Sequence, residues 1–597
     1  MERIAVYVKR LVRHFNIVQN LPKYFDEDEQ RLVVQSIIIG VVVGLAAIAL
    51  KRTVHFTLEG VMHWVESAPT ILVLFVPLVL GSLVVTAVSL YRPAILYYRT
   101  KEGHIHSLND VEGDGLERAI SLFYTSEPSF EQTLIGQDGV EARWELPTLS
   151  LAIRKIIATF VTLGSGGSGG LEGSVTLIGE SLAAAMFKPR PTFQDERHHP
   201  ILKRIWSWWS TQSPDRLQTA QLSGIAAAIA VLLGAPFAAA FFAVEVMYRY
   251  RPVIEKLIYA LLSSLVAFFL TDLFTVGHPT PLDIETVYIP PSDLRYFLVL
   301  ILLGVAISTV SQYFKRLRSL FDNFFHERIK NPYIRHALGI TLTGVIALGV
   351  HEIVRHYGLA ENGLVFVLGP GETAVEWAFA GKLTATVAII ALAAKMIATL
   401  ATITSGGSAG LLIPTLYFGT MTAAAFANWF GYEPMMLIVP AMTASMVSIA
   451  NVPLAAILFV VEVFGSVYMV PSLVMLVIAT ILAHEATIYR TQRETVEARE
   501  IMPGVSVRRV SIPAEWAGHT LIDLDFRKKY DLNVIGLVER RSLNGQPRVR
   551  LGTAATTILE EGDTLIVLGK DEKLAAFERA LMEIEERWAQ QQAADGR

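Results

Sequence analysis

The chain has 597 residues, of which 52% are hydrophobic and 18% charged, with a mean hydropathy of +0.44. A soluble globular chain carries about 25% charged residues, so an ordinary water-soluble protein is excluded. The 51 basic and 55 acidic residues nearly cancel and give no reason to expect a nucleic-acid partner, while the absence of cysteine excludes disulfides and thiolate chemistry.

Residues 1–30 combine Lys9, Arg10 and Arg13 with the acidic run Asp26–Glu29 and read as an N-terminal cytoplasmic helix, with no signal peptide evident. Between residues 31 and 495 uncharged stretches recur: Leu32–Leu50, Ser67–Tyr91, Leu217–Val244, Met396–Tyr432, Pro434–Val461 and Val463–Ala483. A helix that crosses a bilayer needs about 20 apolar residues. Several of these runs therefore span or sit within a membrane, and some are long enough for two segments. Core helices of a soluble protein would alternate polar and apolar faces instead.

Three polar interruptions stand out. Residues 100–148 are rich in glycine and acid. Residues 188–216 hold Lys188, Arg190, Arg197, Lys203, Arg204 and Arg216, and residues 315–336 hold Lys315, Arg316, Arg318, Arg328, Lys330 and Arg335. Excess Lys and Arg predicts that both basic loops face the cytoplasm. After Glu485 the pattern changes to short β-rich runs, Val505–Ile512, Leu532–Val538, Arg548–Leu551 and Thr564–Leu568, with turn signals at Asn544-Gly545 and Gly562-Asp563. A helix-like stretch follows from Asp571 to Glu586. Residues 500–590 thus predict a small α/β domain, and 591–597 a disordered tail.

The apolar region repeats itself. Lys155–Leu171 and Lys395–Leu411 are identical at eleven of seventeen positions, including the loop Ser-Gly-Gly-Ser-x-Gly-Leu. A second pair, Ala235–Val246 and Val452–Val463, contains Glu245 and its repeat partner Glu462. The membrane region is therefore duplicated, with halves near 31–250 and 251–495. Duplicated transporters commonly place their substrate at the repeat interface.

The glycine-rich loops have a physical use there. The first N–H groups of a helix lack intrahelical partners, and at membrane depth they are tolerated only where they face a cavity or ligand. Glycine lets the backbone turn and come close to an ion, and the positive end of the helix dipole favours an anion. Two such loops could share one anion without a full positive charge, which would hold it too tightly for rapid release. A flexible linker would not be bracketed by matched apolar helices, and a P-loop would need Gly-Lys-Ser/Thr. Within this stretch Glu172 is the one acid between Glu145 and Glu180. A carboxylate at a helix start is itself an anion: it can occupy the site when ionised and leave when protonated. Its other reading is a capping residue alone.

These residues resemble the CLC family of chloride channels and proton-coupled chloride exchangers, over about residues 30–495. The family's Gly-Arg-Glu-Gly-Pro motif matches Gly170-Leu171-Glu172-Gly173-Ser174, and its Gly-x-Phe-x-Pro motif matches Gly410-Leu411-Leu412-Ile413-Pro414. The resemblance implies an all-α polytopic membrane protein with an inverted-repeat core. It implies gating by Glu172, anion contacts at Gly170, Leu171, Gly173, Gly410, Leu411 and Leu412, and a pore tyrosine at Tyr489. It further implies bound chloride with no other cofactor, protons as partners, and a homodimer in the lipid bilayer of a prokaryotic plasma or inner membrane.

Three departures matter. The family's Gly-Ser-Gly-Ile-Pro loop matches Gly113-Asp114-Gly115-Leu116-Glu117, which places Asp114 where a serine would bind the anion. The inner proton-carrying acid of the exchangers falls on Val246, and valine cannot carry a proton, so a passive channel is expected over an exchanger. The C-terminal segment Val505–Leu581 resembles the TrkA-C regulatory domain, not paired CBS modules. That likeness implies a cytoplasmic dimerisation module that could bind a small ligand such as a cyclic dinucleotide. A cation transport protein is the distant alternative, lacking a potassium-filter sequence such as Thr-Val-Gly-Tyr-Gly. No enzyme is expected: no metal-ligand cluster or nucleophile–base spacing appears, and His104, His106, His198 and His199 lie in polar loops.

Overall fold

The computed structural model describes residues 27–93, 95–99, 105–124, 146–188, 207–211, 213–248, 254–274, 288–356, 358, 362–483, 488, 499–502, 505–539, 548–551, 554–560, 563–570, 573–574, 576–577 and 580–581. Residues 1–26 of the N-terminal helix expected over 1–30, the tail 591–597 and Tyr489 lie outside these residues, while 27–30 begin the first membrane helix.

Among the described residues the helices of the membrane region form two sets of eight. The first set is α1 (Glu27–Ser67), α2 (Phe75–Leu90), α3 (Leu116–Tyr124), α4 (Leu149–Gly164), α5 (Glu172–Phe187), α6 (Pro214–Leu233), α7 (Pro236–Tyr248) and α8 (Ile254–Phe274). The second is α9 (Leu294–Arg328), α10 (Pro332–His356), α11 (Glu372–Phe379), α12 (Ala385–Thr404), α13 (Leu412–Phe430), α14 (Pro434–Ala450), α15 (Pro453–Phe464) and α16 (Met469–Ala483). A hairpin of β1 (Ile95–Arg99) and β2 (Ile105–Asn109) links α2 to the loop before α3.

Packing repeats between the sets. The pairs α4·α5, α5·α6, α6·α8 and α1·α8 correspond to α12·α13, α13·α14, α14·α16 and α9·α16. The halves meet through equivalent elements, α2 on α10, α5 on α13 and α7 on α15. Contacts of i with j matched by j with i are the mark of self-complementary pairing about a twofold axis. By this packing α8 closes the first set, so the division falls between residues 274 and 294 rather than near 250.

Local sequence accounts for the breaks. The uncharged run 217–244 divides where Gly234, in a left-handed conformation, ends α6 and Pro236 opens α7. Asn451 and Pro453 do the same between α14 and α15. Seven of the described helices are long and apolar enough to cross a membrane. In the outer ones, such as α8, most residues are exposed or half-buried, whereas α6 is almost wholly covered. Small residues along α6, among them Gly224, Ala226, Ala227 and Ala228, let neighbouring helices approach it from all sides.

The basic segment 315–336 is not a loop. Helix α9 runs through it to Arg328, and Lys315 and Arg318 turn inward, with Lys315 Nζ donating to the Ser448 carbonyl (2.7 Å) and Arg318 Nη1 to that of Ile488 (2.6 Å). Lys and Arg are good helix formers, so a basic stretch does not end a helix. Within the polar stretch 100–148, helix α3 is buried through Ala119, Ile120, Leu122 and Phe123.

The C-terminal domain has one antiparallel sheet of five strands, β3 (Arg499–Met502), β4 (Val505–Ser511), β5 (Asn533–Glu539), β6 (Arg548–Leu551) and β7 (Thr564–Lys570), in the order β3-β4-β7-β5-β6. Trp516, Phe526, Tyr530 and Phe577 stack into its core.

Candidate functional site

The two Ser-Gly-Gly-Ser loops meet at the centre of the membrane region. Gly170 N–H donates to the Gly410 carbonyl (2.8 Å), and Gly410 N–H to that of Gly170 (2.5 Å). Helices α5 and α13 start from this junction, so two helix N-termini converge there. Side chains at equivalent positions brace it: Thr402 Oγ1 accepts from Ser168 N–H (3.2 Å) and Thr162 Oγ1 from Ser408 N–H (3.1 Å). The hydroxyls of Thr159 and Ser408 (2.9 Å) and of Ser168 and Thr399 (3.1 Å) pair in the same crossed manner.

Two fully buried lysines hold the next layer. Lys155 Nζ donates to the carbonyls of Val111 and Gly113 (2.9 Å each), and Lys395 Nζ to those of Val367 (3.1 Å) and Gly369 (2.5 Å). These contacts pair the loop Val111–Gly115 with Val367–Gly371. In both loops the two glycines take positive φ, 77° and 91° at Gly113 and Gly115, 59° and 89° at Gly369 and Gly371, a conformation costly for any residue with a Cβ. The duplication therefore includes the Asp114 loop, whose counterpart in the second half carries Pro370. The shared Val-x-Gly-x-Gly spacing carried that signal in the sequence, and the lysines stood at matched positions of the quoted repeat without an assigned role.

Glu172 opens α5 and is 1% exposed. Its side chain folds back over the junction, with Oε1 accepting from Leu171 N–H (3.2 Å) and the amides of Glu172 and Ile413 facing the carboxyl group. Oε2 is buried without a hydrogen-bond partner. Gly170 and Gly410 leave the space it fills: a Cβ on Gly410 would lie 2.7 Å from Oε2. Leu412 takes the equivalent place at the start of α13. Asp114, 5% exposed, caps its own helix through Leu116 N–H (3.1 Å) and reaches the other half, accepting from Leu411 N–H at 2.6 Å.

The structure thus brings Gly170, Leu171, Glu172, Gly173, Gly410, Leu411, Leu412 and Asp114 together. Val246 is buried in α7. Ile488, which precedes Tyr489, donates to the Ile449 carbonyl at the end of α14 (3.0 Å). Arg318, which binds the Ile488 carbonyl, ion-pairs with Glu117 of α3 (3.1 Å). Glu245 and Glu462 stand apart from the junction and cap helices across the repeat. Glu245 accepts from Leu454 and Ala455 N–H (3.0 and 2.8 Å), and Glu462 from Phe237 and Ala238 N–H (3.1 and 3.0 Å).

Residues 126–484 match the voltage gated chloride channel family, and residues 505–582 match the TrkA-C domain. The chain belongs to the voltage gated chloride channel family, as an integral membrane protein that carries a C-terminal TrkA-C domain.

An uncharacterized protein of Methanocaldococcus jannaschii is 25% identical over 271 residues, 45% of this chain and 64% of that protein. The chain thus spans just under two thirds of that relative. The voltage-gated ClC-type chloride channel ClcB of Citrobacter koseri is 23% identical over 349 residues, 56% of this chain and 74% of the relative. Two solved structures share the fold. A slow cyanobacterial Cl⁻/H⁺ antiporter has 20% identity and a TM-score of 0.58, covering 77% of this chain and 96% of its own. A CLC-type fluoride/proton antiporter has 19% identity and a TM-score of 0.57, covering 79% and 99%.

Proposed function

We propose that the protein is a passive anion channel, with chloride as its ion, in which protonation of Glu172 opens the path. The observation behind this reading is the Glu172 carboxyl group, buried where two helix N-termini meet and holding one oxygen without a partner. Helix N-termini in a dry setting are a general means of attracting an anion. A carboxylate there competes with the permeant ion, and protonation removes the charge that keeps it in place. Val246 supports passive conduction, because an aliphatic side chain cannot relay a proton. The likeness to the ClcB channel carries chloride to this chain as the proposed ion.

The wider reading is a homodimer in the bilayer, with one path per subunit and the TrkA-C domain on the cytoplasmic side. That domain would modulate opening, with or without a small ligand of the cyclic-dinucleotide class. The test is current in planar bilayers under separate chloride and proton gradients. A passive channel reverses at the chloride equilibrium potential at every pH. A reversal potential that moves with the proton gradient would establish coupled exchange instead. In Glu172→Gln the pH dependence of flux should fall by most of its wild-type range, and an unchanged profile would remove Glu172 from the gate.

A further inference from the structure

The anion site as read above has an occupant of the chain's own. Leu411 N–H opens α13 and is one of the amides expected to meet the ion, yet Asp114 Oδ1 already accepts from it at 2.6 Å. The second Asp114 oxygen is held by Leu116 N–H. At the start of α5 Glu172 lies in the same manner, with Oε2 buried and unpartnered. The two carboxylates lie on either side of Gly173 and Gly410. A Cβ on Gly173 would run into the Asp114 carboxylate, and one on Gly410 would meet Glu172 Oε2 at 2.7 Å. Four charged groups face Asp114, Glu117 on α3, Lys155 on α4, Glu172 on α5 and Arg318 on α9, while the start of α13 presents the Leu411 amide. Lys155 donates to the Val111 and Gly113 carbonyls, and Arg318 pairs with Glu117.

We propose that Asp114 is a second tethered plug: an external anion gains the Leu411 N–H only after Asp114 takes a proton and lets that amide go. This rests on the reading of Glu172 as the first plug. A carboxylate fixed beside its donor competes at an effective concentration far above that of a dissolved halide. Its protonation removes the charge that the helix dipole favours and turns an acceptor into a group with its own O–H to donate. One proton taken from water at Asp114 and one anion bound at Leu411 leave the net charge of the site unchanged. Because Glu172 needs the same step, two protons precede each opening.

The test uses the full chain in liposomes. Chloride efflux is measured from pH 8 to pH 4, and log flux is plotted against pH on the alkaline limb. Wild type should approach a slope of two, Asp114→Asn and Glu172→Gln each a slope of one, and the double variant should be flat. In parallel, chloride is titrated calorimetrically into detergent-purified protein at pH 7.5. Wild type should show no binding, and Asp114→Ser should bind. A wild-type slope of one that Asp114→Asn leaves unaltered overturns the proposal while leaving Glu172 as the gate, and so does equal chloride binding by wild type and Asp114→Ser. If neither variant elutes as wild type does on size exclusion, the wild-type slope alone decides. Absence of chloride flux at every pH would instead overturn the anion-transport reading beneath it.

Discussion

Replacement of Glu245 by alanine should destabilise the membrane region more than the same change at its repeat partner, Glu462. Helices α7 and α15 both begin with proline, which has no N–H, so the next two amides are the ones that need acceptors. In each helix these two N–H groups go to the glutamate of the other half. A helix cap is worth about 0.5–2 kcal/mol, and a buried donor left unpaired costs about 1–3 kcal/mol. Glu245 is 3% exposed, so water cannot replace it. Removing it should cost about 2–4 kcal/mol, above the range for one cap because two buried donors lose their acceptor together. Glu462 is only half-buried, and its bond to the Phe237 amide lies at the exposed surface of the fold. That cap is less fully enclosed, and its loss should cost about 1 kcal/mol. The assay is thermal unfolding of the detergent-purified full chain, read as the order of Tm values: wild type, Glu462→Ala, then Glu245→Ala. Glu245→Gln, which keeps one acceptor oxygen, should fall between wild type and Glu245→Ala. Because α7 packs on α15, the double variant should depart from additivity. A Tm for Glu245→Ala equal to wild type, or a larger drop in Glu462→Ala, would refute this account of the capping.

Where α5 crosses α6, a Cβ on Gly224 would run into the Gly179 carbonyl, and one on Gly179 into that of Gly224. Close approach of this kind is how small residues pack membrane helices. Gly224→Ala should therefore cost about 1–3 kcal/mol by overpacking and lower the yield of monodisperse protein on size exclusion; full yield would contradict it. In the C-terminal domain, Asp523 accepts from Thr520 N–H (2.9 Å) and its hydroxyl (2.7 Å), and these bonds hold its carboxyl below the ordinary Asp value. A depressed folded-state pKa stabilises above the unfolded value, about 3.9, and that stabilisation disappears as pH falls through the folded one. Exchange protection of the Thr520 amide, corrected for intrinsic rate, should hold at pH 5 and fall at pH 3. Asp523→Ala should lack it at both, and identical profiles would be evidence against the cap.

The sequence was most informative where chemistry repeats in register. The match of Lys155–Leu171 to Lys395–Leu411 already implied two like loops, and the structure joins them through Gly170 and Gly410. Run length already implied that some uncharged stretches hold two segments, and the structure divides 217–244 at Gly234-x-Pro236 and 434–461 at Asn451-x-Pro453. Other features were hidden for physical reasons. The partner of the Asp114 carboxylate is an amide 297 residues away, and no local pattern reports so distant a contact. The crossed capping by Glu245 and Glu462 depends on which helix starts face each other across the halves. The inward turn of Arg318 depends on the Ile488 carbonyl and Glu117, which a charge count reads only as a basic surface. The division between halves was misplaced because α8 and α16 share packing positions without sharing a motif.

A scaffold with true twofold symmetry about the Gly170–Gly410 pair would present the same groups to an ion arriving from either side. This chain breaks that equivalence with very few atoms. Both acids at the junction, Asp114 and Glu172, belong to the first half, and their counterparts, Pro370 and Leu412, carry no charge. Polarity of the route, the difference between one mouth and the other, then resides in two side chains laid on an otherwise even-handed frame. On the proposed reading, exchanging the pairs, with Asp114→Pro and Glu172→Leu in one half and Pro370→Asp and Leu412→Glu in the other, would reverse that polarity without turning the protein over.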